Sequence, residues 1–151
     1  MNDATKKLVQ GTWKKVEPIA DVAAGLFYEE LFRLDPSVQK LFRGEMKAQG
    51  TRLMQMIGAA VAGLDDLGAL VPVVEDLGRR HVGYGVRDAH YDTVGQALLT
   101  TLDKGLGPAF TPEVRAAWTE TYVTLASVMK AAAAAAPPAK PRPAVRARRA
   151  A

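Results

Sequence analysis

Val74-Val-Glu-Asp-Leu-Gly-Arg-Arg-His81-Val-Gly-Tyr-Gly-Val86 places a single imidazole near the end of an apolar helical face. Val74, Leu77 and His81 fall at i, i+3 and i+7, so the histidine shares the face that should be buried while Arg79 and Arg80 point elsewhere. Gly83 and Gly85 then supply a stop. By itself the pattern is ambiguous, because an isolated histidine on an apolar face is more often a satisfied core residue than a ligand. The remainder of the chain has to decide between the two.

At 151 residues, 48% of them hydrophobic, the chain has the size and composition of one ordinary globular domain with room for a small-molecule pocket. It contains no run of eighteen apolar residues and no charged-then-apolar leader, so neither a membrane span nor a signal peptide is expected and the cytoplasm is the expected compartment. The absence of cysteine excludes disulfides, thiolate catalysis, zinc–thiolate sites and any cofactor attached through a thioether. Charge is unevenly placed. Residues 131–151 hold five basic side chains (Lys140, Arg142, Arg146, Arg148 and Arg149) and no acid, which leaves 15 basic and 16 acidic residues for 1–130. The high isoelectric point therefore belongs to the tail, and the folded part lacks the basic footprint of a nucleic-acid-binding domain.

Every segment has helical rather than strand periodicity, which predicts an all-α fold of about seven helices. Residues 4–17 put Leu8, Val9, Trp13 and Val16 on one stripe. Pro18 can open a second helix that runs to about Leu34, with Val22, Leu26, Phe27, Leu31 and Leu34 inward and Glu29, Glu30 and Arg33 outward. Asp35-Pro36 reads as an N-cap and first turn of a short third helix ending near Leu41-Phe42. A fourth, from about Glu45 to Ala62, carries Gln49, Leu53, Met56, Ile57 and Ala60 on one face, and the loop Gly63 to Asp66 leads into the His81 helix. Residues 88–105 form another, and Thr111-Pro112-Glu113 starts a last helix that runs into the alanines 131–136 before Pro137-Pro138. The expected domain is thus 1–136. Residues 137–151, a basic Pro/Ala/Arg segment without aromatics, have too few apolar groups to offset the entropy of ordering and are expected to be a disordered tail.

The order of residues is more specific than the periodicity. Phe27-Tyr28-x-x-Leu31-Phe32, Asp35-Pro36-x-Val38, Leu41-Phe42, Gln49, Leu53, His81, His90-Tyr91-x-x-Val94-Gly95 and Trp118-x-x-x-Tyr122 together resemble the single-domain bacterial haemoglobins and the globin half of flavohaemoglobins, from about Leu8 to Met129. The resemblance implies a globin fold around a haem pocket that holds noncovalent protohaem IX (haem b), with His81 as the proximal ligand to iron. It implies that Phe42 wedges against the porphyrin, that Tyr28 faces the bound gas and that Gln49 occupies the distal polar position. Their plain alternatives are a core aromatic, a core tyrosine bonded to a backbone carbonyl, and a solvent-facing amide. Gln49 and Leu53, four apart, share one helical face and could roof the site together, Leu77 and Tyr91 would line it on the His81 side, and Leu53 is core in either case.

Arg52 and Arg80 are candidates for the haem propionates, since guanidinium pairs well with carboxylate, with solvated surface arginines as the competing account. His90 reads as structural, and Met54 and Met56 as core filling. Tyr91 matches a tyrosine that supports the proximal histidine in the flavohaemoglobin type, but the glutamate that joins it there falls here at Ala133, and no Asp or Glu occurs after Glu120. Without that carboxylate His81 should be a weaker electron donor, which disfavours peroxidase-like chemistry. No flavin or nicotinamide motif is present either. The expected function is reversible binding of oxygen and other diatomics such as nitric oxide and carbon monoxide, with a cellular reductase as a possible partner. The alternatives are a nitric oxide dioxygenase or nitrite reductase served by that external reductase, and a haemless globin-fold interaction module.

Overall fold

The computed structural model describes residues 2–42 and 44–135. Among them six α-helices follow one another without a strand: α1 Asp3–Val16, α2 Ala20–Leu34, α3 Met46–Ala62, α4 Leu67–Gly83, α5 Asp88–Leu106 and α6 Pro112–Ala135. The short third helix expected from Asp35-Pro36 is a 3-10 segment, Pro36–Leu41, so the seven expected helical segments are present with one wound more tightly. The domain boundary expected at residue 136 and the basic tail beyond it lie outside the described residues. No helix among the described residues is long and apolar enough to cross a membrane.

Local chemistry sets the boundaries. The Asn2 side chain accepts from the Thr5 N–H at 2.8 Å and starts α1, Asp35 does the same for Ser37 at 3.1 Å, and Thr111 accepts from Val114 at 3.2 Å ahead of α6; each takes one of the amide donors that a helix start leaves unpaired. Pro18 falls in a 3-10 turn, Glu17–Ile19, and α2 begins at Ala20 rather than at the proline. After α4 the chain turns at Gly85, whose φ of 90° suits a residue without a Cβ.

The buried stripe of α2 is Ala23, Ala24, Phe27, Tyr28 and Leu31. Two residues expected on the inward stripes lie off them: Leu8 is 37% and Val22 61% exposed, because each sits one position from the helical face that packs. Glu30, expected to point outward, is only 8% exposed. Its carboxylate takes the Arg33 guanidinium, with Nε at 3.0 Å, and feels Lys104 of α5 as well, so the α2–α5 contact can cover it without stranding a charge.

The two dominant packings are α4 on α6 and α2 on α5, with α1 laid across α6. Trp118 of α6 joins the last pair, donating its indole N–H to Thr12 Oγ1 at 2.8 Å, while the Thr12 hydroxyl also reaches the Leu8 carbonyl at 2.6 Å. On α4 the buried stripe is Leu70, Val74 and Gly78, which carries His81 onto the inner side three residues later. Gly78 is the point of closest approach to α6. A Cβ there would lie 2.7 Å from the Met129 Cα and overlap the Met129 carbonyl, so only glycine lets the backbones meet. Gly78→Ala should therefore cost about 1 to 3 kcal/mol of unfolding free energy, read as a lower denaturation midpoint in urea at an unchanged slope.

Candidate functional site

Helices α2 to α6 enclose a cavity of about 250 Å³ whose wall is almost wholly apolar. Tyr28, Phe42, Leu53, Leu77, His81 and Tyr91 all contribute to it. Gln49, Arg52 and Arg80 do not form part of the wall. Gln49 is nonetheless inside, 1% exposed, one turn before Leu53 on α3, so the solvent-facing alternative does not hold. Arg52 and Arg80 are exposed. Arg80 pairs with Asp76 at 3.2 Å, and the Arg52 charge is felt at the Tyr28 hydroxyl.

His81 sits in the last turn of α4 with its Nδ1 2.8 Å from the Leu77 carbonyl oxygen one turn back. A carbonyl only accepts, so Nδ1 carries the proton and donates, which leaves the Nε2 lone pair available in the neutral ring. Burial holds the His81 pKa below its ordinary 6.5, against the opposing effect of the Leu77 hydrogen bond, and the Arg80 charge lowers it further. The ring is flanked by Tyr84 at 5.5 Å and Tyr91 at 6.5 Å between centroids. Tyr91 is held by α6 through its backbone, since the Tyr122 hydroxyl donates to the Tyr91 carbonyl at 2.6 Å.

The chain has two histidines, and both reach the cavity. They differ in what their nitrogens are doing. His90 Nδ1 accepts from the Arg87 N–H at 2.8 Å and caps the start of α5; with that lone pair used, the neutral ring carries its proton on Nε2 and has no free lone pair. The structural role expected for His90 is what the geometry gives it, with a place in the wall added.

Away from His81 the wall is aromatic. Tyr28 meets Phe27 and Phe42 edge-on, each at 5.3 Å, and stacks on Phe32 at 5.9 Å. Burial pushes the Tyr28 phenol up to about 12, the Arg52 charge opposing, so it keeps its proton and can donate at physiological pH. Leu53, Met56, Ile57 and Ala60 supply the α3 side. Met56 thus lines the cavity, while Met54 is buried in the core.

Tyr84 is a wall residue beside His81 that sequence reasoning passed over. It lies three positions after His81, one helical turn on, but beyond the glycine expected to end the helix. Counting the i+3 position through Gly83 would have found it.

A helical bundle around an apolar cavity, with one neutral imidazole in the wall, forms a pocket of the kind that takes an apolar ligand or cofactor. A profile of the globin family matches residues 25–129, a span that includes Tyr28, Phe42, Leu53, His81 and Tyr91. The chain is 30% identical over 129 residues to a flavohemoprotein of Bacillus subtilis (strain 168), covering 83% of this chain and 32% of that protein. It is 31% identical to a neuroglobin of Danio rerio and 30% identical to one of Dissostichus mawsoni, each over 143 residues, 85% of this chain and 90% of the neuroglobin. The chain therefore spans about a third of the flavohemoprotein and nearly the whole of the neuroglobins. It belongs to the globin family. Haem goes with that family, and the donor set fits it: a nitrogen lone pair for iron, apolar walls for the ring system and no cysteine required.

The shifted imidazole makes stability depend on pH. With its folded pKa below the unfolded value of 6.5, the unfolded chain takes up the proton first. Stability is full above about 6.5 and is lost as the pH falls through that value towards the lower folded pKa. Thermal unfolding of the haem-free protein between about pH 7.5 and pH 5 should show a steeper fall in Tm for the parent than for His81→Gln, which has no imidazole to charge.

Proposed function

We propose that the chain reversibly binds oxygen, and the diatomics nitric oxide and carbon monoxide, at noncovalent haem b held by His81. One observation carries this reading: the neutral imidazole of His81, its Nδ1 committed to the Leu77 carbonyl, lines the same apolar cavity as the protonated phenol of Tyr28. Haem, when bound, would supply an iron atom able to take up a diatomic gas. His81 would supply the axial nitrogen. Phe42, Leu53, Leu77 and Tyr91 would pack on the ring system, and the exposed guanidiniums of Arg52 and Arg80 would meet its propionates at the rim.

The Tyr28 hydroxyl is the polarising group in this scheme. Its O–H would donate a hydrogen bond to a ligand atom that gathers negative charge, with Leu53 and Phe27 excluding competing water. Gln49, which is buried but outside the wall, has a supporting part beside Tyr28 rather than an equal one. His90 spends its lone pair on Arg87 and α3 contains no histidine, so no second imidazole closes the open position. A separate cellular reductase is the partner that such a site would call on. The flavohemoprotein similarity is what favours such a partner, and with it a nitric oxide dioxygenase activity as the second reading.

Haem titration of the purified chain, followed by its Soret absorption, tests the assignment. His81→Ala should lose or greatly weaken haem retention, since only apolar contacts would remain; stoichiometric haem with an unchanged histidine-ligand spectrum in that variant would refute it. On the other side of the chemistry, a hydrogen bond to a partly charged acceptor contributes roughly 1.5 to 3 kcal/mol. Tyr28→Phe should then speed oxygen release about ten- to a hundredfold and change carbon monoxide binding much less, because bound carbon monoxide carries little charge. Stopped-flow off-rates for the two gases give the comparison, and an oxygen off-rate within about twofold of the parent would remove Tyr28 from the role.

A further inference from the structure

The His81 ring is part of a stack that continues outward. Tyr91 lies 6.5 Å from it with the two planes 29° apart, and the Lys130 ammonium of α6 stands over the Tyr91 ring, 5.5 Å from its centroid. A cation over a tyrosine face is attracted by the ring quadrupole, and the pairing is one turn before the point where a carboxylate would be needed to make the imidazole more basic. We propose that Lys130 is an electrostatic tuning residue: a positive charge, positioned by Tyr91, that weakens His81 as a donor to haem iron and favours the ferrous state. The proposal rests on the haem reading above.

The charges around His81 support this assignment. Its Nδ1–H donates to a neutral carbonyl rather than to a carboxylate, so the push of electron density into the ring is weaker than a carboxylate would give. Arg80 is the charge that lowers the His81 pKa, but its guanidinium is paired with Asp76 at 3.2 Å, and that exposed pair is screened. Asp88 acts on the Tyr91 hydroxyl, which it raises together with burial, and Asp92 acts on the Tyr122 phenol. Lys130 is the cation set on the ring face itself, and no acidic residue follows it in the sequence.

Oxidation of the iron by one electron adds one positive charge to the site. A fixed cation on the order of 10 Å away in a medium of intermediate dielectric opposes that addition by about a threefold change in the equilibrium. Since oxygen binds the reduced iron, the same cation holds the protein in its binding-competent form.

The test is a redox titration of the haem-loaded full chain in the parent and in Lys130→Arg, Lys130→Met and Lys130→Glu, with the iron–histidine stretching frequency read by resonance Raman on the ferrous proteins. Removing the charge in Lys130→Met should move the equilibrium about threefold towards ferric iron, close to 30 mV for a one-electron couple. Reversing it in Lys130→Glu should move it about tenfold, close to 59 mV, and raise the stretching frequency. Lys130→Arg, which keeps the charge, should match the parent. Potentials in the Met and Glu variants equal to the parent's, with haem retained, would overturn the inference alone, as would an Arg variant that behaves like Met. A parent chain that takes up no haem overturns this inference and the haem reading together. If Lys130→Glu does not fold, Lys130→Gln beside Lys130→Met gives the charge-removal result twice.

Discussion

The hydrogen bond from His81 Nδ1 to the Leu77 carbonyl, 2.8 Å long, decides which nitrogen of the ring is free, and the site depends on that. Were the proton on Nε2, the imidazole would present a donor to an apolar cavity with nothing to receive it. The partner is a carbonyl of the same helix, which is already part of α4 and needs no second element to position it. Burial keeps the ring neutral, and the helix turn keeps it oriented. His90 shows the opposite arrangement in the same wall: its lone pair serves the start of α5 and so is not available for anything else.

An apolar cavity is expensive to maintain. Side chains that line a cavity of about 250 Å³ forgo part of the dispersion contact that a packed core would give them. The fold carries this cost with the extensive contact of α4 on α6, tightened at Gly78, and with the Trp118 to Thr12 bond that fixes α1 across α6. A group that fills the cavity returns the lost contacts and stabilises the folded state by mass action. The site and the stability of the domain are therefore coupled through one volume.

Electrostatics divide the cavity in two. Near α2 the polar group is a protonated phenol held in an aromatic cluster, able to donate to an acceptor that gathers negative charge. Near α4 and α6 the imidazole donates to a neutral carbonyl and is flanked by tyrosine rings, with a lysine over one of them.

The helical periods, the Asp35-Pro36 and Thr111-Pro112 starts and the glycines after His81 are local features, so the sequence by itself determined the all-α class, nearly every boundary and the face on which His81 lies. Residue order also carried the family, since a globin family profile matches residues 25–129. What only the tertiary structure decided are the relations between helices. Glu30 is covered because α5 brings Lys104 alongside, Gly78 is required because α6 touches α4 there, and Gln49 is buried yet stands off the cavity wall. Lys130 meets Tyr91 across 39 positions of chain, a distance at which no helical period carries information. Periodicity reports which face of a helix is apolar; which neighbour covers that face, and which charge is thereby set beside which ring, follows from how the helices pack.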